Sequence, residues 1–418
     1  MTERELKNYA EPTIIRRNVP KDPSKARGVS SGPNKRSGHR VFVNDDYLYV
    51  VGGFNSGIAV GTGSSTFKDV WKLNLLTNQW SMLKLIGHFD DTMASFSLVF
   101  VPEFDRFYVY GGTGFPFAEN VSASLYECQI VDDETCRINK LEITGEEPPR
   151  LYGQSMVYQL NYKNEISLYV IGGTQGFVYQ TDVYEFHIDK SNKVECRKLG
   201  DSANEEGRYR HESFIYKNEI YSIGGANDQT YIPMETITVF DLNEKKYYLK
   251  VTLPNDREQF PEVRKGHSLV RYGSKIFIFG GLHFPNEENN PENILKDIWM
   301  LDLEEFRWTK LKTELPQKVF FHSADISSIG QICSYGGCVS AQPEPVRTKN
   351  VTTFFIDAPT LSYMTLERFY KQHAEILNRT GETYTFSMPL ELLKHTLKPR
   401  SGHQVAEAFQ VTNDNSAA

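Results

Sequence analysis

Short apolar runs that end on paired glycines organise most of the chain. Six runs rich in β-branched and aromatic residues do so: 47–51 before Gly52-Gly53, 107–110 before Gly111-Gly112, 168–171 before Gly172-Gly173, 220–223 before Gly224-Gly225, 276–279 before Gly280-Gly281, and 332–335 before Gly336-Gly337. Runs of this composition predict buried strands. A glycine pair at the end predicts a sharp turn where the chain is crowded. Successive pairs lie 59, 61, 52, 56 and 56 residues apart, the mark of a repeat architecture. Downstream, apolar and polar positions alternate in 70–75, 183–186 and 298–303, which predicts a further half-buried strand per repeat.

The phase holds on both sides of the glycines. His39, His211 and His267 each sit 13 residues before the first glycine, and His322 sits 14 before; Arg36, Arg208 and Arg264 each precede a histidine by three. Trp80 and Trp308 lie nine residues after Trp71 and Trp299. Two glycines followed by two spaced aromatics resemble the kelch repeat, which marks one four-stranded blade of a β-propeller. The resemblance covers about residues 36–358 and implies an all-β, six-bladed kelch β-propeller whose blades bury their faces only against each other. After 351–356 no Trp-containing fourth strand appears before Pro359. An open seam would leave sheet edges bare, so residues 12–15 are the candidate closing strand. The rest of 1–35 reads as a basic, flexible N-terminal region.

Composition narrows the function. Apolar residues at 39% and aromatics at 13% exclude a largely disordered chain. Lys plus Arg is 46 against 53 Asp plus Glu, giving −7, which argues against nucleic acid as the main partner. The ten Lys or Arg against four acids in residues 1–40 read as a solvated tail. No run approaches the roughly 18 apolar residues of a membrane span, and Met1 to Glu5 lack the apolar core of a secretory signal. Five cysteines show neither a disulfide framework nor metal-ligand spacing. The expectation is a protein of the cytoplasm and nucleus with no cofactor, metal, nucleic-acid or membrane partner.

The pattern changes after Pro359. Leu361, Met364, Thr365, Leu366, Phe369, His373, Ile376 and Leu377 recur at helical steps, and Thr360 can cap the first turn. Residues 387–397 read as a second helix with Pro389 in its first turn. This pair, over 359–398, resembles the elongin-binding box and cullin box of substrate receptors for cullin-2 ubiquitin ligases. The resemblance implies that Thr360, Leu361, Thr365 and Phe369 dock elongin C, bringing elongin B with it, and that Met388, Pro389, Leu392 and Leu393 dock cullin-2. Thr365 stands where Cys or Ala is more usual, and Phe369 where an aliphatic is expected. Residues 399–418 are polar and expected to be a disordered tail.

Three further segments extend the resemblance: Leu151-Tyr152-Gly153-Gln154, Arg208 to Glu212, and Gly111 to Phe117. With them the layout is similar to the kelch domain-containing proteins that read C-terminal degrons; the insert at 284–292 departs from the pattern. The implied function is substrate recognition: the propeller binds glycine-type C-terminal degrons, and the target is ubiquitinated and sent to the proteasome.

Loops entering each first strand and loops following each glycine pair reach the mouth of a propeller channel. Arginine offers a planar fork of donors that suits a carboxylate. Arg150, Arg208, Arg210 and Arg264 are the candidate clamp, with hydroxyls from Tyr152 and Tyr209 and apolar walls from Phe115, Phe117, Phe177 and Tyr179. Arg and His at first-strand starts also brace neighbouring blades, and a structural role is favoured for the four in-phase histidines. No Ser-His-Asp order, phosphate loop or zinc motif appears, so the chain reads as a non-catalytic receptor subunit. A second reading is a propeller scaffold that regulates a phosphatase, kinase or cytoskeletal partner without recruiting a ligase.

Overall fold

The computed structural model describes residues 10–15, 32–57, 65–147, 149–200, 207–283, 293–341, 344–357, 359, 363–365 and 367–368. The chain divides into two compact units, Met1–Asp357 and Ala358–Ala418. In the first, six antiparallel sheets among the described residues form the blades of a propeller. Blade 1 comprises Arg40–Val43, Tyr47–Val51, Val70–Asn74 and Trp80–Met82. Blade 2 comprises Ser97–Val101, Arg106–Tyr110, Leu125–Ile130 and Thr135–Leu141; blade 3 comprises Ser155–Leu160, Ile166–Ile171, Val183–Ile188 and Val194–Gly200. Blade 4 comprises Glu212–Tyr216, Glu219–Ile223, Thr236–Asp241 and Lys246–Val251; blade 5 comprises Ser268–Tyr272, Lys275–Phe279, Asp297–Asp302 and Arg307–Glu314. Blade 6 has Ser323–Ile326, Gln331–Tyr335 and Val351–Phe355, and its outermost strand is Thr13–Ile14 from the start of the chain.

The innermost strands of successive blades are neighbours all the way round, including Arg40–Val43 beside Ser323–Ile326, so the ring is closed. Thr13 lies opposite Thr353 and Ile14 opposite Thr352, and Ile15 N–H donates to Val351 O at 2.9 Å. This covers an edge that blade 6 would otherwise expose. Blades 2 and 3 exceed the four strands expected. Lys84–Ile86 runs parallel along Thr135–Leu141, and Ile143–Gly145 along Val194–Gly200. Here the link from the preceding blade pairs with the outer edge it passes.

The glycine pairs and the in-phase histidines explain each other. Gly336 and Gly337 have φ of 64° and 90°. A Cβ on Gly336 would lie 2.7 Å from Cε1 of His39 on the next blade, and one on Gly337 would lie 2.8 Å from Cβ of His322 on its own blade. The first glycine therefore admits the neighbouring blade's ring, and the second admits its own. His39 Nε2 reaches Tyr335 O at 2.9 Å. Gln154 fills the same position in blade 3 and donates from Nε2 to Tyr110 O at 2.8 Å, while Phe96 fills it in blade 2. All four histidines are buried. Burial holds His39 and His267 well below the ordinary imidazole range and pushes His211 and His322 down to about 3.

The repeat aromatics sit between blades. Trp308 of blade 5 is fully buried and donates from Nε1 to Met234 O of blade 4 at 3.1 Å. In the second unit, residues 363–365 and 367–368 are helical, and Thr365 is exposed. Thr360, Leu361, Phe369, Met388, Pro389, Leu392 and Leu393, and the tail from 399, lie outside the described residues.

Candidate functional site

Each chain segment entering an innermost strand passes through one left-handed residue. These are Gly38, Ser95, Gly153, Arg210, Gly266 and Phe321, with φ of 63°, 57°, 66°, 57°, 61° and 52°. Each N–H donates to the carbonyl of its counterpart on the preceding blade: Ser95 to Gly38 at 2.7 Å, Gly153 to Ser95 at 2.7 Å, Arg210 to Gly153 at 2.6 Å, Gly266 to Arg210 at 3.0 Å, Phe321 to Gly266 at 2.8 Å, and Gly38 to Phe321 at 3.4 Å. The six hydrogen bonds close into a ring that frames the channel mouth. Two residues further along the inner strands, Arg40 of blade 1 reaches Glu212 of the opposite blade 4 with an Nη1–Oε1 distance of 2.6 Å. That ion pair spans the channel below the ring.

Three ring positions are glycine, which meets φ near 60° without strain. Arg210 and Phe321 adopt it despite a Cβ, at a cost of roughly 1–2 kcal/mol each. The two side chains meet: the Arg210 guanidinium carbon lies 3.8 Å from the Phe321 ring centroid. It also lies 5.3 Å from the Tyr209 ring, over which Lys265 Nζ stands at 5.5 Å. Arg210 Nε is buried with no hydrogen-bond partner, and among the described residues no carboxylate pairs with this guanidinium. Burial pushes the Tyr209 phenol up, but the Arg210 and Lys265 cations outweigh burial and leave it below its ordinary value.

Aromatic side chains surround these cations. Tyr209 packs against Tyr179 at 5.3 Å and edge-on to Tyr152 at 6.4 Å. Phe54 packs against Phe117 at 4.7 Å and Phe115 at 5.4 Å. Arg347, on the small hairpin of Cys338–Ser340 and Val346–Arg347, places its guanidinium 4.8 Å from the Phe54 ring. Its Nε donates to Ser37 Oγ at 2.9 Å and its Nη1 to Ser56 Oγ at 3.2 Å. Burial raises the Cys338 thiol pKa, and Arg347, a hydrogen bond with Ser37 and, least, Arg210 oppose the rise.

The other candidate arginines belong elsewhere. Arg264 is fully buried and holds Asp297 with both Nη atoms, at 2.8 and 3.1 Å, while Trp299 Nε1 donates to the same carboxylate at 2.7 Å. Arg36 repeats the arrangement with Asp69 and Trp71. A guanidinium already spent on a bidentate internal carboxylate has no fork left for a ligand. Arg208 is buried and donates from Nη2 to Thr238 Oγ1 at 2.5 Å. Arg150 is exposed but lines a groove on the outer part of blade 2, with Lys68, Asp90 and Lys140, and donates to Val121 O at 3.1 Å. The mouth thus gathers Arg210, Tyr209, Tyr152, Tyr179, Phe115 and Phe117 from the sequence candidates and leaves out Arg264, Arg208 and Arg150.

Sequence reasoning missed Phe321, Lys265, Phe54 and Arg347. Phe321 shares the phase of Arg210, one residue before a histidine, and Lys265 shares the phase of Tyr209, two before. Repeat position alone would have found these two. Arg347 sits in an irregular hairpin with no phase to betray it. Among the described residues no group of His, Cys, Asp and Glu is arranged to hold a metal ion.

The six-fold ring and its glycine–histidine seams define a kelch-repeat β-propeller. The model for the KLHDC2/KLHL20/DRC7 Kelch-repeats domain matches residues 105–337, and that for the Kelch motif matches 35–84. Kelch domain-containing protein 10 of Xenopus laevis is 31% identical over 350 residues, covering 82% of this chain and 81% of that protein. The Homo sapiens protein of the same name is 31% identical over 352 residues, covering 83% and 76%. The Drosophila melanogaster homolog is 26% identical over 371 residues, covering 83% and 59%. The chain belongs to the kelch domain-containing protein 10 family.

Proposed function

We propose that this protein is the substrate-recognition subunit of a cullin-2/elongin ubiquitin ligase, and that its propeller mouth binds the C-terminal carboxylate of proteins marked for ubiquitination and proteasomal degradation. The observation that carries the reading is Arg210: a strained residue at the mouth, stacked on Phe321, whose guanidinium has no carboxylate partner among the described residues. Backbone strain of this kind is held in place by the surrounding structure and clusters at ligand sites. The Tyr209 hydroxyl, lowered by its cations, and the Ser37 and Arg347 side chains supply further donors near the same mouth. A terminal glycine suits a crowded anion site because it brings no Cβ. The receptor makes no covalent intermediate; it contributes proximity to a recruited conjugating enzyme. Membership in the family and the resemblance of 359–398 to elongin-binding and cullin boxes support the ligase half of the reading, and a ligase of this kind works in cytoplasm and nucleus.

Two measurements test it. A synthetic glycine-ended peptide is titrated as the free acid and as the amide. Loss of charge-assisted bonds of roughly 1.5–3 kcal/mol each lowers the amide's affinity by at least about a hundredfold when two are lost. Separately, Leu361→Asp abolishes copurification with elongin B and C, and Met388→Ala with Pro389→Ala weakens cullin-2 recruitment while leaving elongin bound. Equal affinity of acid and amide removes the carboxylate reading; elongin retained by Leu361→Asp removes the ligase reading and leaves a scaffold.

A further inference from the structure

The mouth is polarised. Its cations Arg210 and Lys265, which meet at the Tyr209 ring, come from blades 4 and 5. Its exposed apolar side chains come from blades 2 and 3: Phe115 is 58% exposed, Phe117 40%, Phe177 93% and Val178 59%. Two loops carry all four, and the loops touch, since a Cβ on Gly176 would lie 3.2 Å from Cβ of Ala118. The blade 3 loop is tied to the mouth through Thr174, which bridges both Tyr152 and Tyr179. Four large apolar side chains exposed on two touching loops beside a charged site are costly to leave bare and mark an interaction surface.

Resting on the reading that the mouth takes a C-terminal carboxylate, we propose that it also fixes the direction of the bound chain and the character of its upstream residues. The terminal carboxylate lies at Arg210 and Lys265, and the preceding residues leave across blades 2 and 3 against Phe115, Phe117, Phe177 and Val178. The occupant is a polypeptide tail whose residues roughly three to five from the end are apolar. A tail of polar residues gains nothing from that surface, whereas an apolar one removes both its own side chains and these four from water. The opposite direction would set the apolar segment over the cations and desolvate them without a partner.

The test uses labelled octapeptides ending in glycine, with either Leu, Phe and Leu or three serines at positions three to five from the end, each as acid and as amide. They are titrated by fluorescence polarisation against the full chain and its Phe115→Ser, Phe177→Ser variant. The apolar acid is expected to bind the native chain about tenfold or more tighter than the serine acid. The variant is expected to lose that advantage, and an advantage kept in full by the variant overturns this inference. An acid preference with equal binding of apolar and serine tails overturns this inference alone. Equal binding of acid and amide overturns the carboxylate reading, and the direction with it. No binding by any of the four at millimolar concentration overturns both.

Discussion

Arg210 and Phe321 stack at 3.8 Å although a whole blade lies between them in the chain and in the ring. Gly266, the intervening ring residue, makes this possible: a Cβ there would overlap the Phe321 ring. Gly266→Ala therefore strains a left-handed position, at roughly 1–2 kcal/mol, and also pushes Phe321 off the guanidinium. A lower melting temperature together with weaker binding of a free-acid peptide is the expected outcome. Gly273→Ala is the control, since it shares a φ of 60° but meets nothing within 4 Å; it should lose stability alone.

Arg264 and Arg210 are both candidate clamp arginines in the sequence and should behave oppositely. Arg264→Ala leaves Asp297 buried with only Trp299 as a side-chain donor and is expected to destabilise by roughly 3–5 kcal/mol. Arg210→Ala removes no ion pair and keeps a Cβ in the same left-handed backbone, so its denaturation midpoint should stay close to native while acid-peptide affinity falls. Urea unfolding beside peptide titration separates the two.

The Arg40–Glu212 pair ties opposite blades across the channel, with side chains 22% and 19% exposed. Its free energy lies between that of a surface pair and a buried one, roughly 1–3 kcal/mol. Arg40→Met and Glu212→Gln should each destabilise, and the double variant by less than the sum. A double-mutant cycle that returns no coupling would make the pair incidental.

Acid should open the ring. His39, His211, His267 and His322 are neutral in the fold and titrate far below an unfolded histidine, near 6.5. Their contribution is present above pH 6.5 and is lost as pH falls from there toward about 3, because the unfolded chain takes up the protons. Asp325, which burial raises to about 6, works the other way over part of that window, but it is one group against four. Gln154 shows that glutamine can fill this position. His211→Gln is expected to fold and to lose less stability between pH 7 and 5 than the native chain, as measured by denaturant unfolding at both values.

Much of this architecture was legible in the chain. Strand composition, glycine pairs and a period near 56 residues are local properties that recur, and a repeat whose units stack only on their neighbours leaves little else to choose. The histidines were legible as bracing groups for the same reason: each depends on a glycine at a constant offset. The site was only partly legible. Arg208 and Arg264 stand three residues before a histidine and Arg210 one before, and that two-residue difference in phase sets Arg210 on the left-handed ring while the other two are buried. Side-chain direction followed from that backbone conformation and from where Asp297 and Thr238 lay to receive them. Arg347 meets Phe54 only because the ring closes, with Thr13–Ile14 completing blade 6 beside blade 1. The chain by itself determined the blades; the closed ring decided which of its charges faced one another and which came to stand at the channel mouth.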